Sequence, residues 1–169
     1  YQNELTSAAA VAIINKDNYQ LINSFCLSEY GTSSTSRAYV QEYIALVMAT
    51  LIRMDLQDKW PIYSDYLAAL KASNNSFPRQ HPARPLHRVI TKSDGQRHWV
   101  RGHQDRNMLI NQLSAAERGN VFADHAAGGK IPNTQEVNKT MFEDVLFYLL
   151  GWVEKHPSGI LLAKPSSMW

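Results

Sequence analysis

The sequence predicts an α/β domain in which helices flank a mixed β-sheet, and three features indicate this. Runs of strand-forming residues at 8–14 and 19–27 flank a polar turn, which is typical of an antiparallel hairpin. Strand and helix patterns then alternate along the chain, as they do in layered α/β folds. The 169 residues are 44% hydrophobic and 19% charged, which is a globular composition long enough to bury a core.

The first half of the chain gives a helix, a strand and a second helix. Residues 37–54 place apolar side chains at the 3.6-residue period of an amphipathic helix. Residues 60–63 form a short buried-strand candidate, and residues 66–72 show another helical pattern. The order from the amino end is therefore strand, strand, helix, strand, helix.

The second half opens with a proline-rich loop at 74–85 and continues with one strand and two helices. Residues 97–101 alternate like a strand, and this alternation predicts a core position for Trp99. A helix is predicted over 113–127, because Ser114 and Glu117 have capping-box spacing and a Gly-Gly pair follows. A last helix is predicted over 135–155.

Cysteine content and hydropathy bear on the cellular setting. The single cysteine, Cys26, lies in an apolar run and cannot form an internal disulfide, which favours a reducing, intracellular compartment in cytoplasm or nucleus. No apolar stretch is long enough to span a bilayer and no signal-peptide pattern is present, so we expect no membrane partner. The formal net charge of +2 permits a nucleic-acid partner without implying one.

Two acidic residues in the first half are candidates for chemistry. Glu42 stands early in the first helix between apolar neighbours, where the alternative is a solvated charge near a positive helix end. Asp65 stands at the carboxyl edge of a strand, which is the edge where open α/β sheets bind ligands. The alternative for Asp65 is an N-cap of the next helix.

A loop and a helix face in the second half supply further candidates. His103 follows Gly102 in a loop after a strand, where it is either a proton shuttle or an exposed histidine. Gln104 and Asp105 come next, and the sequence assigns them no role. Asn120 and Asp124 are four residues apart and share a helix face with Glu117, whose repulsion from Asp124 a metal or Arg118 would neutralise.

Taken together and in this order, the segments resemble ribonuclease H, and most of all the ribonuclease H domains of retrotransposon reverse transcriptases. The phrases WVRGHQD at 99–105 and LSAAERGNVFAD at 113–124 carry the resemblance, which covers about residues 5–127. It implies a ribonuclease H-like mixed sheet flanked by helices over residues 1–130. Residues 131–169 would add a C-terminal helical extension packed on the same domain.

The resemblance implies an endonuclease that cleaves the RNA strand of RNA–DNA hybrids. Glu42, Asp65 and Asp124 would be catalytic and would hold two Mg²⁺ ions, for which Mn²⁺ can substitute, while His103 would assist proton transfer. The remaining domains of a reverse transcriptase polyprotein would be partners.

Hybrid binding would rest on contacts to the backbone and the 2′-hydroxyls. Basic residues that flank the motifs could meet phosphates, although each alone is more typical of a solvated surface: Arg37, Lys71, Arg97, Arg101 and Arg106. Asn120 would hydrogen-bond the RNA or hold Asp124. Tyr66 would stack on a sugar or pack in the protein, and packing is the slightly favoured interpretation.

The sequence departs from the family at one place, because the aspartate of the family's first strand is missing. Residues 8–27 fit the second and third strands, so the first strand would lie before Tyr1, and we expect an omitted segment there. The alternatives are a strand from elsewhere or a degenerate site in a module that binds nucleic acid or acts as a scaffold. A DNA-processing nuclease or integrase is a third hypothesis, which the Gly-His loop and the Asn120–Asp124 spacing disfavour.

Overall fold

The computed structural model describes residues 6–30, 35–56, 59–72, 96–144 and 155. The elements in chain order are β1 (Thr6–Ile14), β2 (Leu21–Tyr30), α1 (Thr35–Asp55), β3 (Ile62–Ser64), α2 (Leu67–Ala72), β4 (Arg97–Trp99), two 3₁₀ turns (Gln104–Arg106 and Ile110–Gln112), α3 (Ala115–Ala127) and β5 (Gln135–Glu136). They form a mixed α/β fold, as the sequence predicts. The predicted loop at 74–85 and the carboxyl-terminal half of the predicted last helix lie outside the described residues.

The predicted hairpin is confirmed in β1 and β2. The two strands pair antiparallel, with Ala8 opposite Ser28 and an irregularity in register at Ile13 and Ile14. The turn between them is closed by the side chain of Asn15, whose Oδ1 accepts hydrogen bonds from the backbone N–H groups of Asp17 and Asn18. Asparagine suits this turn because its side-chain oxygen can bond the backbone two residues on.

Residues at 135–136 are extended, which corrects the predicted start of the last helix. They form β5, which pairs parallel to β2 with Gln135 opposite Phe25. Val137 then donates its backbone N–H to the carbonyl of Cys26 at 2.8 Å, so hydrogen bonds to the edge of β2 hold this segment in an extended conformation. The helix begins only after Asn138, whose Oδ1 accepts from the N–H of Met141, and it is described over 139–144.

A second, two-stranded sheet is formed by β3 and β4, which pair parallel with Ser64 opposite Trp99. The predicted core position of Trp99 is wrong, because 49% of this residue is exposed. Within the described residues β4 pairs with β3 alone, so the large indole lies at a sheet edge and keeps contact with solvent. The next residue, Val100, is buried and donates its N–H to the carbonyl of Ser64.

Helix α1 packs against both sheets and supplies most of the core. Tyr43, Val47, Met48 and Leu51 are fully buried on it, and they pack among residues of both sheets and of the chain after β5, including Ala9, Leu27, Ile62, Val137 and Phe142. At its carboxyl-terminal end the buried Arg53 donates from Nη1 to the carbonyls of Trp60 and Gln96, each at 3.1 Å. This guanidinium ties the helix to the starts of β3 and β4. Among the described helices, none has the length and hydropathy to cross a bilayer.

Helix α3 lies along β1. Its predicted carboxyl-terminal end and capping box are confirmed, but it begins at Ala115 and not at 113. Ser114 Oγ accepts the N–H of Glu117, and Glu117 Oε1 accepts the N–H of Ser114, each at 3.2 Å. Gly119 fits closely against Ile14, since a Cβ there would stand 3.3 Å from a methyl group of that side chain. The neighbouring Arg118 guanidinium lies 4.9 Å above the ring of Tyr19, just after the hairpin turn.

We expect Ser114→Ala to lower the free energy of unfolding by about 1 kcal/mol, because it removes the cap of α3. Urea unfolding measures the difference. Ser114→Thr keeps a capping hydroxyl and is the matched control, so equal losses in the two variants would contradict the capping role.

Candidate active site

The first candidate carboxylate, Glu42, lies near the start of α1 with a half-buried side chain. Burial, which is the largest cause, and the negative charges of Asp65 and Asp124 together raise its pKa to about 7. Glu42 is therefore not the freely solvated helix charge that was its alternative interpretation. The contributions of Asp65 and Asp124 to this pKa also indicate that carboxyl groups from three different elements lie near one another.

The second carboxylate, Asp65, directly follows β3. Here the hydroxyl of Ser64 accepts the N–H of Tyr66 at 3.1 Å, which shapes the turn into α2. The side chain of Asp65 lies against Gly102: a Cβ at that glycine would overlap Oδ2 and stand 3.1 Å from the Cβ of Asp65. The glycine of the Gly-His pair is thus required for a close approach, since any larger residue would displace the carboxylate.

His103 lies beside the third carboxylate. The backbone of His103 is left-handed, with φ 55° and ψ 33°, and its Nδ1 lies 3.3 Å from Oδ2 of Asp124. Both side chains keep solvent contact, with 54% and 39% exposed. A left-handed backbone at a residue other than glycine or asparagine is strained, so the surrounding contacts must hold the loop in place.

Two residues to which the sequence assigned no role supply those contacts. The buried Gln104 donates from Nε2 to the carbonyl of Gly102 at 2.9 Å. Asp105 Oδ2 lies 3.7 Å from Nε2 of His125, so the loop contacts α3 at two successive helix residues. No local period links Asp105 with His125, and the sequence therefore carried no signal for this pair.

On α3, Asp124 and Asn120 are one turn apart, as the sequence predicts. Burial raises the pKa of Asp124, the nearby His103 lowers it, and Asp65 raises it. Asn120 Oδ1 is buried and has no hydrogen-bond partner among the described residues. The two other charged residues considered on this helix have different contacts. Glu117 takes part in the capping box with Ser114, and the guanidinium of Arg118 lies over the ring of Tyr19.

All three carboxylates and Asn120 line one cleft of about 740 Å³. Their oxygen donors are of the type that Mg²⁺ prefers. Burial first, and then the charge of Asp65, raises the pKa values of Glu42 and Asp124, and a divalent cation would favour the charged forms of both groups. In the part of the chain that the structure describes, however, no three Asp, Glu, His or Cys side chains are close enough to hold one ion together. The donor chemistry fits the metal, and the groups would have to draw closer around it.

Of the residues predicted to contact nucleic acid, Asn120 lines the cleft, whereas Arg101 and Tyr66 are not among its lining residues. Arg101 is exposed just before the Gly-His pair. Tyr66 is half-buried and packs edge-on against Tyr43, with ring centroids 6.0 Å apart, in accord with the packing interpretation. The side chains of Arg37 and Lys71 lie outside the described residues. Comparisons with known proteins add nothing to this site, since no family model, curated protein or solved structure matches the chain.

We expect Gly102→Ala to displace the carboxylate of Asp65 and to lower the free energy of unfolding by about 1–3 kcal/mol, because a methyl group has no room there. Urea unfolding measures the loss. Gly119→Ala is the control, since its methyl would meet only a side-chain methyl of Ile14, which can shift. A smaller loss for Gly102→Ala than for Gly119→Ala would contradict the close approach.

The raised pKa of Glu42 predicts how stability depends on pH. At Glu42 the folded chain holds the proton more tightly than the unfolded chain, so the contribution of this group to stability falls as pH rises from about 4.5 to about 7. Glu42→Gln removes this loss. We expect the free energy of unfolding of Glu42→Gln, minus that of wild type, to be about 1–3 kcal/mol larger above this pH interval than below it. Glu143→Gln, which neutralises an exposed glutamate, is the control. Parallel wild-type and Glu42→Gln profiles in urea unfolding would contradict the burial of Glu42.

Proposed function

We propose that this domain hydrolyses the RNA strand of RNA–DNA hybrids with divalent metal ions, as the ribonuclease H-like domain of a retroelement reverse transcriptase. One observation carries the proposal. Glu42, Asp65 and Asp124 come from a helix, a strand end and a second helix, yet they line one cleft, where burial and the charge of Asp65 raise the pKa values of Glu42 and Asp124. Sequence resemblance to retrotransposon ribonuclease H domains, at residues 99–105 and 113–124, gives the reaction and the substrate.

The carboxylates would hold the metal ions, and Asn120 would supply a further oxygen. Mg²⁺, when bound, activates water and stabilises the leaving oxygen of a phosphodiester. Two of the ligands lie on well-packed or capped helices, since α1 contributes to the core and α3 has a capping box at its amino end. Gly102 sets the position of Asp65 by leaving room for it.

His103 would move a proton at the open side of the site. Because Nδ1 faces Asp124, a neutral imidazole would carry its hydrogen on Nδ1 and keep Nε2 as a proton acceptor. Gln104 and the Asp105–His125 pair would hold the loop so that this nitrogen is presented consistently. They act as positioning residues, since they touch the loop and not the cleft.

Hybrid recognition would depend on shape and on charge along the backbone. Arg101 is exposed beside the Gly-His loop, where it could meet a phosphate. No base-reading constellation is required, because A-form-like duplexes expose 2′-hydroxyls in a shallow minor groove.

A catalytically degenerate module that binds nucleic acid or serves as a scaffold is the second candidate. One observation favours it: no three described side chains are close enough to hold one ion. Such a module would bind the hybrid without cleaving it.

The test is cleavage of an end-labelled RNA–DNA hybrid by the chain in Mg²⁺, with Mg²⁺ affinity measured separately by calorimetry. We expect Asp65→Asn and Asp124→Asn to weaken Mg²⁺ binding and to lower the cleavage rate by about 100-fold or more, because each removes a negatively charged ligand.

Asp144→Asn is the matched control, since Asp144 is exposed and does not line the cleft. Cleavage that Asp124→Asn leaves unchanged would overturn the proposed metal role. Hybrid binding with neither cleavage nor Mg²⁺ binding would favour the degenerate module, and cleavage of DNA alone would favour a DNA-processing nuclease.

A further inference from the structure

The loop that follows the Gly-His pair carries three large apolar side chains on its surface. Met108, Leu109 and Ile110 are consecutive, and their exposed fractions are 39%, 68% and 41%. Among the large hydrophobic residues that the structure describes, Leu109 is the most exposed. A single exposed leucine needs no explanation, but a contiguous apolar group on a surface is typical of a contact site. We call residues 108–110 the apolar tip.

Hydrogen bonds shape the backbone of the apolar tip. The N–H of Met108 donates to the carbonyl of the buried Gln104 at 3.0 Å, which closes the first 3₁₀ turn. The N–H of Leu109 donates to Oε1 of Gln112 at 3.1 Å, and the N–H of Gln112 donates to the carbonyl of Leu109 at 2.9 Å. The buried Leu113 then anchors the end of the loop. The backbone is thus folded before any partner arrives, which lowers the entropic cost of binding.

The loop begins at the candidate active site and ends at the start of α3. At its first end His103 lies against Asp124, and at its last end Leu113 leads into the N-cap Ser114. Ser114 and Asp124 are ten positions apart, which corresponds to about 15 Å along the helix. No residue of the apolar tip lines the cleft. A long substrate held at the carboxylates would therefore meet the apolar tip outside the cleft.

The side chains around the apolar tip are basic or neutral. Arg101 and Arg106 are exposed and flank residues 102–105. The acidic side chain of this loop, Asp105, lies 3.7 Å from Nε2 of His125. Exposed asparagines stand on either side of the tip, at positions 107 and 111. An apolar group with a cationic rim complements a nucleic acid, in which sugars lie between phosphates.

We propose that the apolar tip binds in the minor groove of the RNA–DNA hybrid beside the cleavage site, while Arg101 and Arg106 meet phosphates at the rim of that groove. This inference rests on the proposed function and adds a docking element outside the cleft. A-form-like duplexes have a deep, narrow major groove that side chains cannot read and a wide, shallow minor groove. Leucine, isoleucine and methionine are among the side chains that proteins insert at minor grooves.

A protein partner suits the apolar tip less well than a duplex. A stable protein interface takes about 20–30 residues from each side. The apolar tip has three, and the neighbouring residues at 105–107 and 111–112 are polar or charged. Since the tip lies outside the cleft, it acts on hybrid binding and not on the chemical step.

The first test measures hybrid affinity of the full chain by fluorescence anisotropy without divalent metal, so that binding is separated from cleavage. We expect Leu109→Ser to bind about fivefold to twentyfold more weakly at every salt concentration, because burial of an apolar side chain is lost. Arg106→Gln should instead lower the slope of log affinity against log salt by about 1. In Mg²⁺, Leu109→Ser should raise KM and leave kcat within about twofold of wild type.

Leu56→Ser is the matched control, since Leu56 is an exposed leucine just after α1 and should bind hybrid as wild type does. A cross-link identifies the groove. Because the single cysteine, Cys26, is buried, Leu109→Cys adds an accessible thiol with no accessible competitor. We expect it to form a disulfide with an activated thiol tether on N2 of guanine, which faces the minor groove. The same tether on C5 of a pyrimidine, which faces the major groove, should give none.

The outcomes separate this inference from the proposed function. Cleavage by wild type with equal hybrid affinity in Leu109→Ser, or cross-linking from the major-groove tether alone, would overturn the inference and leave the nuclease standing. Hybrid binding that Leu109→Ser weakens, with no cleavage by wild type, would support the inference and reject the nuclease. A wild type that binds no hybrid would overturn both. A dimer that Leu109→Ser dissociates, with hybrid affinity unchanged, would assign the apolar tip to a second copy of the chain instead.

Discussion

Burial of one face of α1 is the constraint on which the rest of the structure depends. The described parts of the two sheets share no paired strand, so helix packing is what holds them in one fold. Tyr43, Met48 and Leu51 are completely removed from solvent, and burying side chains of this size stabilises a fold by about 1.5–3 kcal/mol each. Arg53 adds a charge-assisted pair of hydrogen bonds at the far end of the helix.

The same packing brings negatively charged carboxylates close together at the other end of the helix. Fixing α1 brings Glu42 toward Asp65 and Asp124 and removes part of its hydration, and its pKa rises to about 7 as a result. A fold gains nothing in stability from three half-buried carboxylates that repel one another. Perturbed carboxylates cluster where cations or protons are handled, and their presence at one cleft therefore supports the proposed metal site.

Much of the fold follows from local patterns. The hairpin turn, the helical period of α1 and the capping box of α3 are each short-range signals, and each predicted element is present. The predictions for Trp99 and for residues 135–136 were wrong because residues far away in the sequence determine their environment. Trp99 lies at a sheet edge and is exposed, and residues 135–136 pair with β2 as the strand β5. The residue types at positions 42, 65, 103 and 124 could also be singled out from sequence order, but their mutual distances could not.

The sequence by itself determined the element types, the α/β class and the candidate acidic residues, because hydrophobic period, turn residues and caps act over a few positions. Only the tertiary structure decided that the carboxylates share a cleft, that Gly102 makes room for Asp65, and that Asp105 pairs with His125. These relations join residues far apart in the chain, and packing of α1 and α3 against the strands is the physical cause that brings them together.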